Sequence, residues 1–154
     1  MNLDLTSSAN RGVLQYLSRD QRQRNRPAIE AWNSRSESTW EHGSHPEIVE
    51  HVWESLAAGL TADCRALVYG TPALVSPRKG TIFAVALGTE YGMRLPPAEF
   101  ASARAAGAEL VHEYRTVGIT LDLPTRFGAH WIFGNFDPRE PEWCVAALQF
   151  AERS

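Results

Sequence analysis

Hydrophobic residues fall along this chain in two rhythms, and the change from one to the other lays out its elements. Val49, Val52, Trp53, Leu56 and Leu60 recur at intervals that place them on one face of a helix. Glu47, Glu50 and Glu54 fall on the other side. Ser44, Pro46 and Glu47 form a capping box ahead of them, with Ser44 predicted at the N-cap and Pro46 inside the first turn. Gly59 is the predicted stop. From residue 66 the rhythm shortens to two. Residues 66–69 and 73–75 flank Gly70-Thr71-Pro72, and Pro72 predicts an edge strand or a bend between two short strands. After a turn at 76–80, residues 81–87 are apolar on both faces, as expected of a central strand. Gly88-Thr89 then makes a two-residue hairpin turn of the Gly-first type.

The register of that hairpin sets turn chemistry against hydrophobic pattern. A two-residue turn places Tyr91, Met93 and Leu95 on the face of Ile82, Ala84 and Ala86. A three-residue turn places them beside Phe83, Val85 and Leu87, making one strongly apolar face. A one-residue slip moves every side chain to the other face, and the turn residues favour the first arrangement. Pro96-Pro97 opens a helix through Ala106, ended by Gly107. Residues 110–114, 117–123 and 130–133 read as further strands. Asp137, Pro138 and Glu140 form a second capping box before a last helix, whose buried stripe is Cys144, Ala147, Leu148 and Ala151. The expected fold is α+β: an antiparallel β-meander packed by helices at both ends of a domain spanning residues 43–154.

Residues 1–42 read differently. Val13, Leu14, Tyr16 and Leu17 suit one short amphipathic helix, but residues 19–26 carry no apolar side chain and cannot offset their own ordering entropy. The expectation is a polar N-terminal arm, partly disordered or docking. Trp32 and Trp40 are its partner-binding candidates, because both are costly to leave in water.

Charge sharpens this division. The chain has a formal net charge of −3. Residues 1–40 carry six arginines against four acids, a net of +2, whereas residues 41–154 carry nine basic against fourteen acidic residues, a net of −5. An acidic domain argues against binding nucleic-acid backbone as the main role and leaves only the arginines of the arm for it. Cys64 and Cys144 stand far apart without a C-x-x-C, which suits two buried thiols in a reducing compartment. The N-terminus has no basic and apolar regions of the kind that direct secretion, and the longest apolar run is residues 82–87, too short for a membrane span. The expected location is cytoplasmic, away from membranes.

Candidate chemistry is sparse. Glu41, His42, His45, Glu47 and His51 have a metal-like density, but Glu47 has a capping role, His51 falls on another helix face from His45, and no cysteine is near. They read as surface residues at a helix start, so no metal and no cofactor is expected. His112 and Tyr114 share one face of a strand. With Tyr69, Tyr91 and His130 on other strands of the same expected sheet, they make a candidate polar-aromatic rim, and Tyr69, Tyr91, His112 and His130 are the ligand-binding candidates. Neither a nucleophile elbow nor a phosphate loop is present. Asp137, Glu140 and Glu142 read as acids favoured at a helix N-terminus. Catalytic residues are therefore not assigned, and an enzyme is the less favoured expectation.

The order of elements around Lys79-Gly80-Thr81-Ile82-Phe83-Ala84, a Gly-x-x-Phe-Ala strand followed by a tight hairpin and a strand ending in Arg94-Leu95, resembles the YjbR-like and TfoX N-terminal group. His130-Trp131-Ile132 before an acid-capped last helix is similar to that group's closing strand and helix. The resemblance covers residues 46–151. Val68-Tyr69-Gly70-Thr71-Pro72 stands where TfoX domains carry an Arg-rich Met-Phe-Gly-Gly segment, closer to the YjbR-like form. The resemblance implies a compact α+β fold and a regulatory or binding module, with no catalytic residues to carry over.

Three readings follow in order. The first is a binding or regulatory module acting through protein contacts, with a protein partner or a second copy in a homodimer. The second is a small-molecule-binding protein or minor enzyme using the sheet rim. The third is a nucleic-acid binder using the arginines of the arm.

Overall fold

The computed structural model describes residues 2–31 and 43–154. Trp32, Trp40, Glu41 and His42 lie outside the described residues. Six strands form one antiparallel sheet in the order β1 (Glu30–Ala31), β2 (Arg65–Val68), β3 (Thr71–Val75), β4 (Ile82–Leu87), β5 (Glu90–Arg94) and β8 (Trp131–Phe133). A separate two-stranded ribbon pairs β6 (Val111–Tyr114) with β7 (Ile119–Asp122). The fold is α+β, as the two rhythms predict, but the meander stops after β5. The strands at 111–114 and 119–122 leave the main sheet and, among the described residues, pair only with each other.

The sheet is apolar on both faces and covered on both. One face packs against α3 (Pro46–Glu50), which continues through a π-helical turn (His51–Ser55) and a 3-10 turn (Leu56–Gly59), and against α4 (Pro97–Ala105) and α6 (Glu140–Glu152). Its core holds Leu74, Phe83, Met93 and Ile132 from the strands, with Val52, Leu56, Cys144 and Ala147 from the helices. The other face holds Val68, Val75, Ile82 and Val85 against α1 (Ser8–Leu17), α5 (Leu123–Arg126) and the β6–β7 ribbon.

The register conflict in the β4–β5 hairpin is settled by a bulge. Leu87 pairs with Glu90 and Ala86 with Tyr91, which is the two-residue turn, with Gly88 at φ +69° supplying the conformation the turn needs. Large Tyr91 and Met93 therefore face small Ala86 and Ala84. On the other side Leu74 pairs with Ala84 and Val75 with Ile82, so Phe83 is an extra residue in β4. The bulge turns Phe83 to the face of Ala84 and Ala86 and sends Ile82 to the face of Val85 and Leu87. Each face thus gains a large residue, satisfying both the turn chemistry and the hydrophobic pattern.

Two local expectations need correction. Pro72 is not on an edge: β3 lies between β2 and β4. The expected bend is at Tyr69-Gly70, and Pro72 is tolerated because the β3–β4 ladder begins only after it, at Ala73. The cap of α3 is His45, whose Nδ1 accepts from the backbone N–H of Glu47 at 3.1 Å, with Pro46 as the first helical residue. The hydroxyl of the expected cap, Ser44, instead accepts from the backbone N–H of Gly88 at 3.4 Å.

The start of the arm is built into the domain. Ser7 caps α1, and Val13 and Leu17 are fully buried on the sheet. Asn10 is buried among them. Its amide donates to the carbonyls of Asp4 and Gly80 at 2.7 and 2.8 Å, and its oxygen accepts from the N–H of Ile82 at 2.9 Å. The polar run that follows is held by Asp20, which caps a single turn of helix, α2 (Gln21–Arg24), by accepting from the N–H of Gln23.

Candidate functional site

A cavity of about 610 Å³ opens between α1–α2 on one side and the β6–β7 ribbon on the other. Its floor is the Tyr69-Gly70 turn and the end of β4 at residues 86–88. This volume lies in the range of small-ligand sites.

The α1–α2 wall brings Arg19, Arg22, Gln23 and Arg26 to the cavity. Arg19 packs over the ring of Tyr16 with its guanidinium carbon 3.9 Å from the centroid. Arg26 pairs with Glu30 at 3.1 Å, and its side chain covers Gly70, where an added Cβ would meet it at 3.3 Å. Arg22 is exposed, and no ion pair engages it among the described residues. Among the described residues Asp20 is the one acid lining this wall, and it is engaged as the α2 cap. Gln23 has its side-chain oxygen buried without a hydrogen-bond partner.

The facing wall is apolar and aromatic. Val117 and Ile119 sit at its lip, 64 % and 40 % exposed, unusual for aliphatic side chains turned toward a cavity. Tyr114 fixes the ribbon: its hydroxyl donates to the carbonyl of Leu87 at 3.0 Å. Burial, helped by the neighbouring Tyr16 and Glu90, pushes its ionisation well above the ordinary tyrosine range. One wall is thus cationic and the other greasy. Among the described lining residues neither side brings together a nucleophile and a base, and what the two walls present is charge on one side and apolar surface on the other.

The four residues of the expected rim are not brought together. Tyr69 lines the cavity. His112 lies behind Tyr114, ring to ring at 4.4 Å, with its Nδ1 3.6 Å from Glu90. His130 precedes β8 and rests against Phe150 at 4.9 Å, its pKa lowered by burial and by the charge of Arg94. Tyr91 is fully buried in the core on the opposite face of the sheet. The shared rim fails because β6 leaves the sheet and because the pleat points Tyr91 away from Tyr69.

Tyr91 belongs to a different polar cluster, centred on Glu140. Its hydroxyl donates to Glu140 Oε1 at 2.5 Å and accepts from the N–H of Phe136 at 2.8 Å. Glu140 is only 1 % exposed; its other oxygen accepts from the N–H of Asn135 at 3.1 Å, and His51 Nε2 lies 3.5 Å from Oε1. Phe136 sits at φ +60° and stacks on His51 at 4.6 Å. Glu140 is therefore no surface helix acid: it ties the β8–α6 connection to β5. The signal was available, since Glu140, Cys144, Ala147 and Ala151 fall on one helical stripe. The cationic wall also had a signal, because Arg19, Arg22 and Arg26 recur at helical spacing within the polar run.

No group of three or more His, Cys, Asp or Glu is placed to hold a metal among the described residues. No helix among them is long and apolar enough to cross a membrane. No family model matches the chain, and neither a curated protein nor a solved structure matches it.

Proposed function

We propose that this protein is a small-molecule-binding protein whose ligand is an organic anion seated in the cavity between α1–α2 and the β6–β7 ribbon. The observation that carries this reading is the pairing of opposed walls: Arg19, Arg22 and Arg26 face Tyr114, Val117 and Ile119 across about 610 Å³. A ligand with an anionic head and an apolar body satisfies both walls. A neutral ligand leaves Arg22, which no ion pair engages among the described residues, without a counter-charge, and a free inorganic anion leaves the exposed aliphatic lip uncovered. The acidic balance of residues 41–154 gives the basic wall its selectivity, since the remaining surface repels anions. The YjbR-like resemblance, which implies a binding or regulatory module, is consistent with this role.

The test is a matched pair of probes. 8-Anilinonaphthalene-1-sulfonate carries an anionic head on an aromatic body, and N-phenyl-1-naphthylamine is its neutral counterpart. Arg22 is exposed and holds no element in place, so Arg22→Glu should fold normally. The variant is expected to weaken the sulfonate about tenfold or more, the scale of a lost charge-assisted contact, and to leave the neutral probe within about twofold. Equal affinity of both proteins for the sulfonate would overturn the proposal.

A further inference from the structure

The turn in the cavity floor has an unusual occupant. Tyr69 and Gly70 are the two central residues between paired Val68 and Thr71, with φ of +47° and +78°. Two positive φ values in a two-residue hairpin describe a turn that favours Asn-Gly or Asp-Gly. A bulky side chain at the first position is strained there, and strain of this kind is retained where the surrounding structure or a function requires it.

Tyr69 packs against the core of its sheet face and its backbone N–H donates to the carbonyl of Ala28 at 3.2 Å, but its polar and aromatic groups have less to do. Among the described residues its hydroxyl makes no hydrogen bond and its ring no aromatic contact, whereas the other two tyrosines of the cavity are engaged. Tyr16 lies under Arg19 and packs edge-on to Phe127 at 5.6 Å. Tyr114 packs on His112 and donates to Leu87. Tyr69 is half-buried, lines the cavity, and stands next to Gly70, over which Arg26 lies. A ring held on the floor beside a guanidinium is placed to stack on a flat group whose charge is met by the neighbouring arginines.

We infer that the cavity selects aromatic over aliphatic anions and that Tyr69 is the residue that recognises the ring. This rests on the reading of the cavity as an organic-anion site. The ligand class is an aromatic ring system, up to the size of a mononucleotide, bearing a phosphate or a carboxylate. Stacking on Tyr69 supplies the discrimination, and the arginine wall supplies affinity common to both classes.

The experiment titrates the full-length protein with two matched pairs by calorimetry. Adenosine 5′-monophosphate is compared with ribose 5-phosphate, and 2-naphthoate with decanoate. The pairs differ in the ring and share their head group, and between them they distinguish a phosphate head from a carboxylate one. Wild-type protein is expected to prefer the aromatic member of at least one pair about tenfold. Tyr69→Leu keeps an apolar side chain at the position without the ring, and Tyr69→Asn places the residue that the turn favours. Both are expected to cut that preference to within about twofold, while Tyr69→Phe keeps it. Equal affinity for ring and chain in wild type, or an unchanged preference in the folded Leu and Asn variants, would overturn the role of Tyr69 and leave the anion site standing. Failure of all four anions to bind wild type would overturn both.

Discussion

At the residue scale, the strongest single constraints come from polar groups placed where water cannot reach them. Tyr91 is held neutral by burial and by its hydrogen bond to Glu140, and its ionisation is pushed far above the ordinary tyrosine range of about 10. Tyr114 shifts in the same direction, chiefly by burial. For such groups the sign of the pH dependence is definite. Above about pH 10 an unfolded chain releases these protons and the folded chain keeps them, so their contribution is fully present below that pH and lost as pH rises beyond it. Urea midpoints are expected to fall between pH 9 and pH 11, and Tyr91→Phe should flatten the fall. The chain has four tyrosines. Absorbance at 295 nm is expected to show Tyr91 and Tyr114 ionising only as the protein unfolds. Four tyrosines titrating together in a folded protein would contradict this account of the buried hydroxyls.

At the element scale, the decisive feature is how α1 reaches the core. Its middle residue, Gly12, meets α5 so closely that an added Cβ would lie 2.1 Å from the carbonyl oxygen of Arg126. A backbone atom cannot swing aside, so Gly12→Ala must push the two helices apart. We expect a loss of about 2 kcal/mol or more, read as a melting point lower by several degrees. An unchanged melting point would mean that α1 does not pack on α5 as described. This element also shows where sequence legibility ends. The apolar residues Val13, Leu14 and Leu17 announce a helix, and the hairpin at Gly88-Thr89 and the α4 start at Pro96-Pro97 are equally plain, because their causes are local. The burial of Asn10, the departure of β6 and β7 from the sheet and the bulge at Phe83 are not local. Asn10 is polar and reads as surface until its backbone partners Gly80 and Ile82, about seventy residues away along the chain, are in place. The bulge leaves no mark on the alternation of residues 81–87 and shows itself only as a conflict between turn and pattern.

At the scale of the whole molecule, the polar start of the chain and the acidic remainder form one structure, and the cavity lies where they meet. Arg19, Arg22 and Arg26 line one wall of the cavity, because α1 is anchored by its apolar face and residues 19–26 follow directly from it. Of the four expected ligand residues, Tyr69 lines the cavity, and His112 stands one ring behind it, against Tyr114. Tyr91 and His130 serve the packing of α6. The cavity was not legible because its two walls are far apart in sequence and it exists only once the β6–β7 ribbon folds over the end of β4. The most direct test of the site is a titration of the ¹⁵N-labelled protein with 8-anilinonaphthalene-1-sulfonate, followed by amide chemical shifts. The account expects the largest changes at residues 16–26, 69–71, 86–88 and 114–119, on both walls and the floor of the cavity. Changes centred on the β8–α6 connection around Phe136, or the absence of saturable changes anywhere, would contradict it.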